Sequence, residues 1–435
     1  MTNPLKENNN GKTYIYLILF LLGSIILFHS CATFKEHQGI PQLSPDDTGE
    51  VVYSFYIAGG FGNNSEAPNI NLLNKFKEEL ENAPEASTLL FTGDNISNLD
   101  VPWEVDSLLI EEQLLLSKNF AGNTIFLPGN NEWKSYELDK MERVEDYLKE
   151  LNLENTDVFP ENGCPIEHKV INESLDLILV DSKWFVSNWS RLEGINKKCS
   201  DINTRRRFME ELEGYINDGQ GKNIVIAMHH PIFSNGVHTG TDTFRGHMTP
   251  LPIYGTLKNS VMDLAGFDPE HLNSRRYRYL RIAVSALAQA NDRITVVSGH
   301  EESLQLLSGG GVHQIISGSF GSKNATKLGK NIISAIGGTM EYEGEYAYGE
   351  RGFAKLDYFK DGSSKVTFFM EDDLTTTKSF KVLEPVNEAE IRSDFSVTNE
   401  SDKTTEILDD SKAYDKTGFY KFLWGKGIDP IMVCR

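Results

Sequence analysis

Five polar turns in this chain each follow directly on a short apolar run: Gly59-Gly60-Phe61-Gly62-Asn63, Gly93-Asp94-Asn95, Gly129-Asn130-Asn131-Glu132, His229-His230-Pro231 and Gly299-His300-Glu301-Glu302. A carboxylate, an amide oxygen and two imidazoles brought together form a borderline oxygen and nitrogen set suited to Zn²⁺, Mn²⁺ or Fe²⁺. One Asp or His in a turn is ordinarily a cap or a hydrogen-bonded structural group. Four such residues in this order, each closing a strand-like run, point instead to metal ligation by Asp94, Asn130, His229 and His300.

These residues meet only if the runs before them lie side by side in one sheet system. Apolar runs at 52–58, 88–92, 124–127, 175–181, 223–228 and 293–298 read as buried strands. Amphipathic helix patterns at 70–80, 106–120, 134–151, 204–216 and 274–290 fall between them. Later strand-like runs at 304–307, 312–316, 353–359 and 365–370 follow one another with few helices between. Alternation finished by hairpins predicts an α/β fold, two mixed sheets flanked by helices, with the turns gathered at one edge. Residues 234–273 are rich in Gly and Pro and lack periodicity, so they are expected to form a functional loop or lid.

With these motifs in place, the chain resembles the calcineurin-like metallophosphoesterases, in their purple-acid-phosphatase-like branch of bacterial envelopes. The resemblance spans residues 51–370. Gly93-Asp94-Asn95 is similar to the family's GDN block and Gly129-Asn130-Asn131-Glu132 to its GNHE block; His229-His230-Pro231-Ile232-Phe233-Ser234-Asn235-Gly236 is similar to its HHP-x-x-S-N-G block and Gly299-His300-Glu301-Glu302-Ser303-Leu304-Gln305 to its GHxHxLQ block. It implies a four-layer αββα sandwich. It also implies two metals about 3.5 Å apart, bridged by one Asp, that activate water and clamp the phosphoryl oxygens. Carried over, the bridge is Asp94, and Asn130, His229 and His300 complete one metal's set.

The other half departs from the family. Gly60 and Gly62 stand where the first block has an Asp and, two residues on, often a His or Gly; Glu302 stands where the closing block has a further His. Asp94 remains, with Glu302 as a possible substitute carboxylate and Asn63 or Asn64 as remote amides. Asn131 replaces the GNHE block's His, and losing such a proton donor commonly costs about 10²- to 10⁴-fold in rate. His238 and His247, in the long loop, are candidate surrogate acids. Asp181-Ser182-Lys183-Trp184-Phe185 reads as a packing and loop-anchoring turn, and Arg205 to Arg207 point apart on a helix, so no triple-Arg phosphate clamp is expected. The expectation is one divalent metal, Zn, Mn or Fe, with the second site lost.

The chain has 435 residues, with 42 Lys plus Arg against 63 Asp plus Glu, a formal charge of −21 that would repel nucleic acid and anionic lipid. Residues 1–30 have a signal-peptide shape: Lys6 and Lys12, an apolar run at 14–28, then Ser30-Cys31. Ser30-Cys31 resembles the lipobox of bacterial lipoproteins, which makes Cys31 the lipidated first residue. The rival reading is an uncleaved N-terminal anchor. Either places the body outside the cytoplasm, tethered to a membrane; the lipoprotein reading puts it on the periplasmic or surface face of the outer membrane. There Cys164 and Cys199 are candidates for a disulfide. Residues 31–50 read as a tether, 51–372 as the phosphoesterase-like domain, and 373–435 as a polar tail with an aromatic end at 419–424. That end resembles the junction at which some envelope relatives continue into an outer-membrane β-barrel. The resemblance implies a lipid-anchored protein of little or no activity serving as a binding or assembly component beside a barrel partner. The alternatives are an active one-metal phosphoesterase and a metal-dependent recognition module.

Overall fold

The structure is a computed structural model and describes residues 31–44, 49–63, 70–133, 138–190, 194–239, 270–335 and 338–386. The readings placed on 1–30, on His247 and on the aromatic end at 419–424 lie outside the described residues.

Two mixed sheets form the frame. In one, the order is β16 (Asp373–Leu383), β15 (Ser364–Met370), β14 (Gly352–Phe359), β2 (Val51–Ala58), β3 (Ser87–Phe91), β4 (Asn123–Phe126) and β5 (Thr156–Val158), with β2 to β5 parallel. In the other it is β1 (His37–Gln38), β13 (Gly338–Tyr348), β10 (Leu304–Gly309), β11 (Val312–Ser317), β9 (Ile294–Ser298), β8 (Asn223–Met228), β7 (Leu175–Val180) and β6 (Ile166–Asn172). There β7, β8, β9 and β11 run parallel, and β12 (Lys330–Ala335) pairs with β13.

Strand periodicity of two decides which side chains meet. Phe55, Ile57, Leu90, Ile125, Leu177, Leu179, Val225, Ala227 and Val297 pack together as the core between the sheets. Their neighbours Tyr56, Leu89, Phe91, Phe126, Ile178, Val180, Ile224, Ile226 and Val296 join the second core, which takes in the helices. Both faces of the parallel strands are buried, which is why they read as uninterrupted apolar runs. Each Val, Leu, Ile or Phe side chain among them contributes roughly 1.5–3 kcal/mol on burial.

The helices are α1 (Ile70–Glu81), α2 (Trp103–Leu116), α3 (Leu138–Leu151), α4 (Ser182–Val186), α5 (Arg205–Asp218) and α6 (Arg275–Ala288). On α1 the buried residues are Leu72, Phe76 and Leu80, four apart and therefore on one stripe. The Thr204 hydroxyl accepts from Arg207 N at 3.1 Å and caps α5. The result is the expected α/β sandwich. Cys164 and Cys199 are joined by a disulfide that ties the segment after β5 to the one before α5. Among the described residues no helix is long and apolar enough to cross a membrane.

The domain is larger than the sequence boundaries at both ends. β16 continues the sheet to Leu383, past 372, because its polar outer residues alternate with buried Phe380 and Val382. Residues 31–50 do not all stand off as a tether. Ala32 is buried, Thr33 pairs with Thr326, β1 pairs with β13, Gly39 N donates to Glu345 O at 2.7 Å and Leu43 N to Ser379 O at 2.9 Å. Backbone pairing, not side-chain pattern, holds this segment, so periodicity did not reveal it.

Candidate metal centre

The turns after β2, β3, β4, β7, β8 and β9 all lie at the carboxyl ends of parallel strands, at one edge where the sheets meet. Asp94 and His300 both take left-handed backbone, with φ of 57° and 65°. That conformation costs a residue with a side chain on the order of 1–3 kcal/mol, and two such residues in facing turns mark a site rather than a packing accident.

Glu132 braces the two turns that carry Asp94 and Asn130. Its buried carboxylate accepts from Gly129 N at 2.6 Å, Asn95 N at 2.7 Å, Asp94 N at 3.2 Å and Ile96 N at 3.3 Å. Burial and the Asp94 charge push its pKa up to about 7 against these donors. Asp181, with its pKa raised to about 7 by burial, accepts from Trp184 N and from Trp133 Nε1, both at 2.9 Å, and so ties the turn after β4 to α4.

On one side, Asp94 is already engaged. Asn131 N donates to its Oδ1 at 2.9 Å and Asn63 Nδ2 to its Oδ2 at 3.0 Å, while Asn131 Nδ2 donates to Asn63 Oδ1 at 2.7 Å. Gly60 and Gly62 face backbone: a β-carbon on Gly60 would lie 2.5 Å from Gly318 O, and one on Gly62 1.6 Å from Ile96 O. Glu302 is half-buried, and burial raises its pKa.

On the other side the imidazoles gather. His229 Nδ1–H donates to Thr92 O at 2.8 Å, leaving Nε2 as a buried lone pair without a hydrogen-bond partner, 3.6 Å from Asp94 Oδ2. Asn130 Oδ1 is buried and unpartnered too. His300 donates from Nε2 to Glu270 O at 3.3 Å, and its Nδ1 accepts from Asn130 Nδ2 at 3.1 Å. Burial, reinforced by His238, His230 and His229, holds the His300 pKa well below the ordinary value. His238 stacks on His300 with centroids 4.1 Å apart and lies 3.2 Å from Glu301 Oε2, which places it at the site but paired with a buried carboxylate.

Two participants were not assigned from sequence. His230 is fully buried, its pKa lowered to about 3 by desolvation, with Nδ1 2.8 Å from Ser182 Oγ. Glu270 reaches in from the end of the 234–273 segment. Its Oε1 pairs with Lys183 Nζ at 2.6 Å and its Oε2 accepts from Asn130 Nδ2 at 2.7 Å. Burial pushes its pKa up, and the Lys183 and His230 neighbours more than offset that, so it stays well below the usual carboxylate range. The anchoring role read for 181–185 thus has a partner in Glu270. The signal for His230 was its place in the His pair; nothing marked Glu270.

The sequence profile of the calcineurin-like phosphoesterases matches residues 63–301, more than half of the chain. The chain belongs to the calcineurin-like phosphoesterase family. Members of this family use divalent metals, and unpartnered lone pairs on His229 Nε2 and Asn130 Oδ1 beside Asp94 are the donor set such an ion fits. No curated protein sequence matches the chain. Among solved structures, the chain is similar to GAP50, the anchor in the inner membrane complex of Plasmodium, at 11% identity and TM-score 0.47, over 82% of this chain and 98% of that one. It is also similar to the purple acid phosphatase PPD1 from yellow lupin (Lupinus luteus) seeds, at 13% identity and TM-score 0.48, over 84% of this chain and 58% of that one.

Proposed function

We propose that this chain keeps one cation half of its centre, hydrolyses phosphate esters weakly or not at all, and serves as a lipid-anchored binding or assembly component of the cell envelope. The observation that carries the reading is the filled first half: the Asn63 amide donates to Asp94 where a second cation would be needed, and backbone occupies the β-carbon positions of Gly60 and Gly62. A two-metal centre stabilises attacking and leaving oxygens from both sides. Among the described residues the donors stand on one side, and Asn131, an amide spent on Asn63 and Ile96 O, supplies no transferable proton in place of a His.

The anchored reading draws support from the start of the described chain. Thr33 N donates to Thr326 O at 2.8 Å, and Asn324 N donates to Glu302 O at 2.6 Å. Residue 31 therefore lies close to the edge that carries the site, and an acyl chain on Cys31 would turn that edge toward the bilayer. A partner there is a membrane component, and an outer-membrane β-barrel protein is the proposed one.

A second reading, an active one-metal phosphoesterase, is favoured by the buried lone pairs of His229 and Asn130, which are suited to a cation. A bound divalent ion would supply Lewis-acid polarisation of a phosphoryl oxygen.

The deciding experiment pairs metal content of the full-length chain with phosphomonoester and phosphodiester assays under Mn²⁺, Zn²⁺ and Fe²⁺. Absence of turnover with retained fold, and release from the membrane fraction in Cys31→Ser, is the expected result. Turnover abolished by Asp94→Asn would replace the binding role with the one-metal enzyme.

A further inference from the structure

We propose that the cation of this centre is held by His230, Glu270 and His300, with the end of the 234–273 segment supplying a ligand, rather than by the family set built on Asp94 and His229. The inference rests on the one-cation reading above and specifies where that cation sits.

Among the described residues these three form the group of His, Cys, Asp and Glu whose ligand atoms all lie within 4.8 Å of one another. Donor atoms on one divalent cation, with bonds of about 2.1 Å, stand roughly 3 to 4 Å apart, so a small contraction closes the set. His230 Nε2 is buried, has no hydrogen-bond partner and lies 3.5 Å from Glu270 Oε2. His300 donates from Nε2 to the Glu270 carbonyl, which leaves the Nδ1 lone pair turned to the same place.

The Asn130 amide nitrogen now joins two of these acceptors, with Glu270 Oε2 at 2.7 Å and His300 Nδ1 at 3.1 Å. Its partial positive charge sits where the lone pairs converge, the position a cation would take. A half-turn of the amide exchanges that donor for Oδ1, which has no partner, and makes Asn130 a fourth ligand. The outer contacts are those a metal site needs: Lys183 holds the other oxygen of Glu270 and Ser182 holds Nδ1 of His230. Asp94, by contrast, has Asn63 and Asn131 as donors.

The test is Co²⁺ titration of the full-length chain, followed by its visible absorption, for wild type, Glu270→Gln, His230→Ala, Asp94→Asn and Glu270→Cys. Melting of each metal-free variant reports whether it folds. The expected result is an affinity loss of at least about 10- to 100-fold in Glu270→Gln and His230→Ala, near wild-type affinity in Asp94→Asn, and a thiolate-to-cobalt charge-transfer band in Glu270→Cys. Loss of binding in Asp94→Asn, with Glu270→Gln unchanged and no new band in Glu270→Cys, overturns the inference and leaves the one-cation reading standing. A wild-type chain that binds no Co²⁺ overturns both the inference and the one-cation reading, while leaving the filled first half as it is.

Discussion

Gly62 packs against Ile96 so closely that a β-carbon on Gly62 would lie 1.6 Å from the Ile96 carbonyl oxygen. The contact is stapled by backbone hydrogen bonds from Gly62 N to Asp94 O at 2.7 Å and from Asn98 N to Gly62 O at 3.2 Å. Gly60 is held likewise, with a φ of 77° and its N donating to Gly93 O at 3.1 Å. Rebuilding a ligand here collides with main chain, which cannot rotate away as a side chain can. Gly60→Asp is therefore expected to lose at least about 2 kcal/mol, from overpacking and left-handed strain together, and to gain no second equivalent of metal. Urea unfolding and metal analysis of the variant check both; an undiminished stability with two bound ions would contradict the closed half.

Glu132 gives a second test, because one carboxylate satisfies four backbone donors on the two ligand-bearing turns. Glu132→Gln keeps the shape but replaces one acceptor oxygen with a donor that faces N–H groups. Hydrogen bonds to a charged group contribute about 1.5–3 kcal/mol each, and a buried group left unpaired costs a similar amount. A loss of about 3 kcal/mol or more in denaturant unfolding is expected, with weakened cation binding as the turn that carries Asn130 loosens. An unaltered midpoint would show that the turns hold without it.

How much of this was readable follows from what leaves a trace in local sequence. β3, β8 and β9 are buried on both faces, so their runs stood out and the polar turns after them could be placed at one sheet edge. β5 has three residues, and β13 carries Glu341, Glu343 and Glu345 among its eleven, so neither shows as an apolar run. Asp94, Asn130, His229 and His300 could be singled out because each lies in a polar turn that follows a strand. Glu270 was not, since its partners Lys183 and Asn130 lie 87 and 140 residues away and no motif surrounds it. The filling of the first half was half legible. Glycines at 60 and 62 showed a missing ligand, but only tertiary packing reveals that Gly318 and Ile96 occupy the space.

The Cys164–Cys199 bond closes a loop of 35 residues in sequence separation. In the chain-entropy account a loop of this length contributes about 4 kcal/mol by restricting the unfolded chain. Replacing both residues with Ala should lower the urea unfolding free energy by that order, and the same shift should follow reduction of the wild type with dithiothreitol. A difference under about 1 kcal/mol would mean that the unfolded chain is already restricted there. Because Cys199 is buried in the helix-side core, Cys199→Ala alone adds a packing loss, so the reduced wild type is the cleaner reference.

His230 sets a pH dependence whose sign is fixed by burial. Desolvation lowers its pKa from 6.5 to about 3, against the Glu270 carboxylate and together with neighbouring His229 and Lys183. Tyr277 closes the other side of the ring at 5.0 Å between centroids, and His300 lies at 4.6 Å. Between about pH 3 and pH 6.5 the unfolded chain binds a proton at this residue that the folded chain excludes, so its contribution to stability rises with pH across that window. The slope for one proton is about 1.4 kcal/mol per pH unit. Asp181 acts in the opposite sense, since burial raises its pKa from 3.8 to about 7 and the unfolded chain releases its proton first. The two are separated by variants, measured with a chelator present so that no metal competes for the imidazole. The stability difference between wild type and His230→Gln should grow as pH rises from about 3 to 6.5, while that between wild type and Asp181→Asn should shrink over the same range. Imidazole proton signals that show His230 titrating near pH 6.5 in the folded chain would contradict the buried neutral ring, and with it the lone pair that the centre offers to a cation.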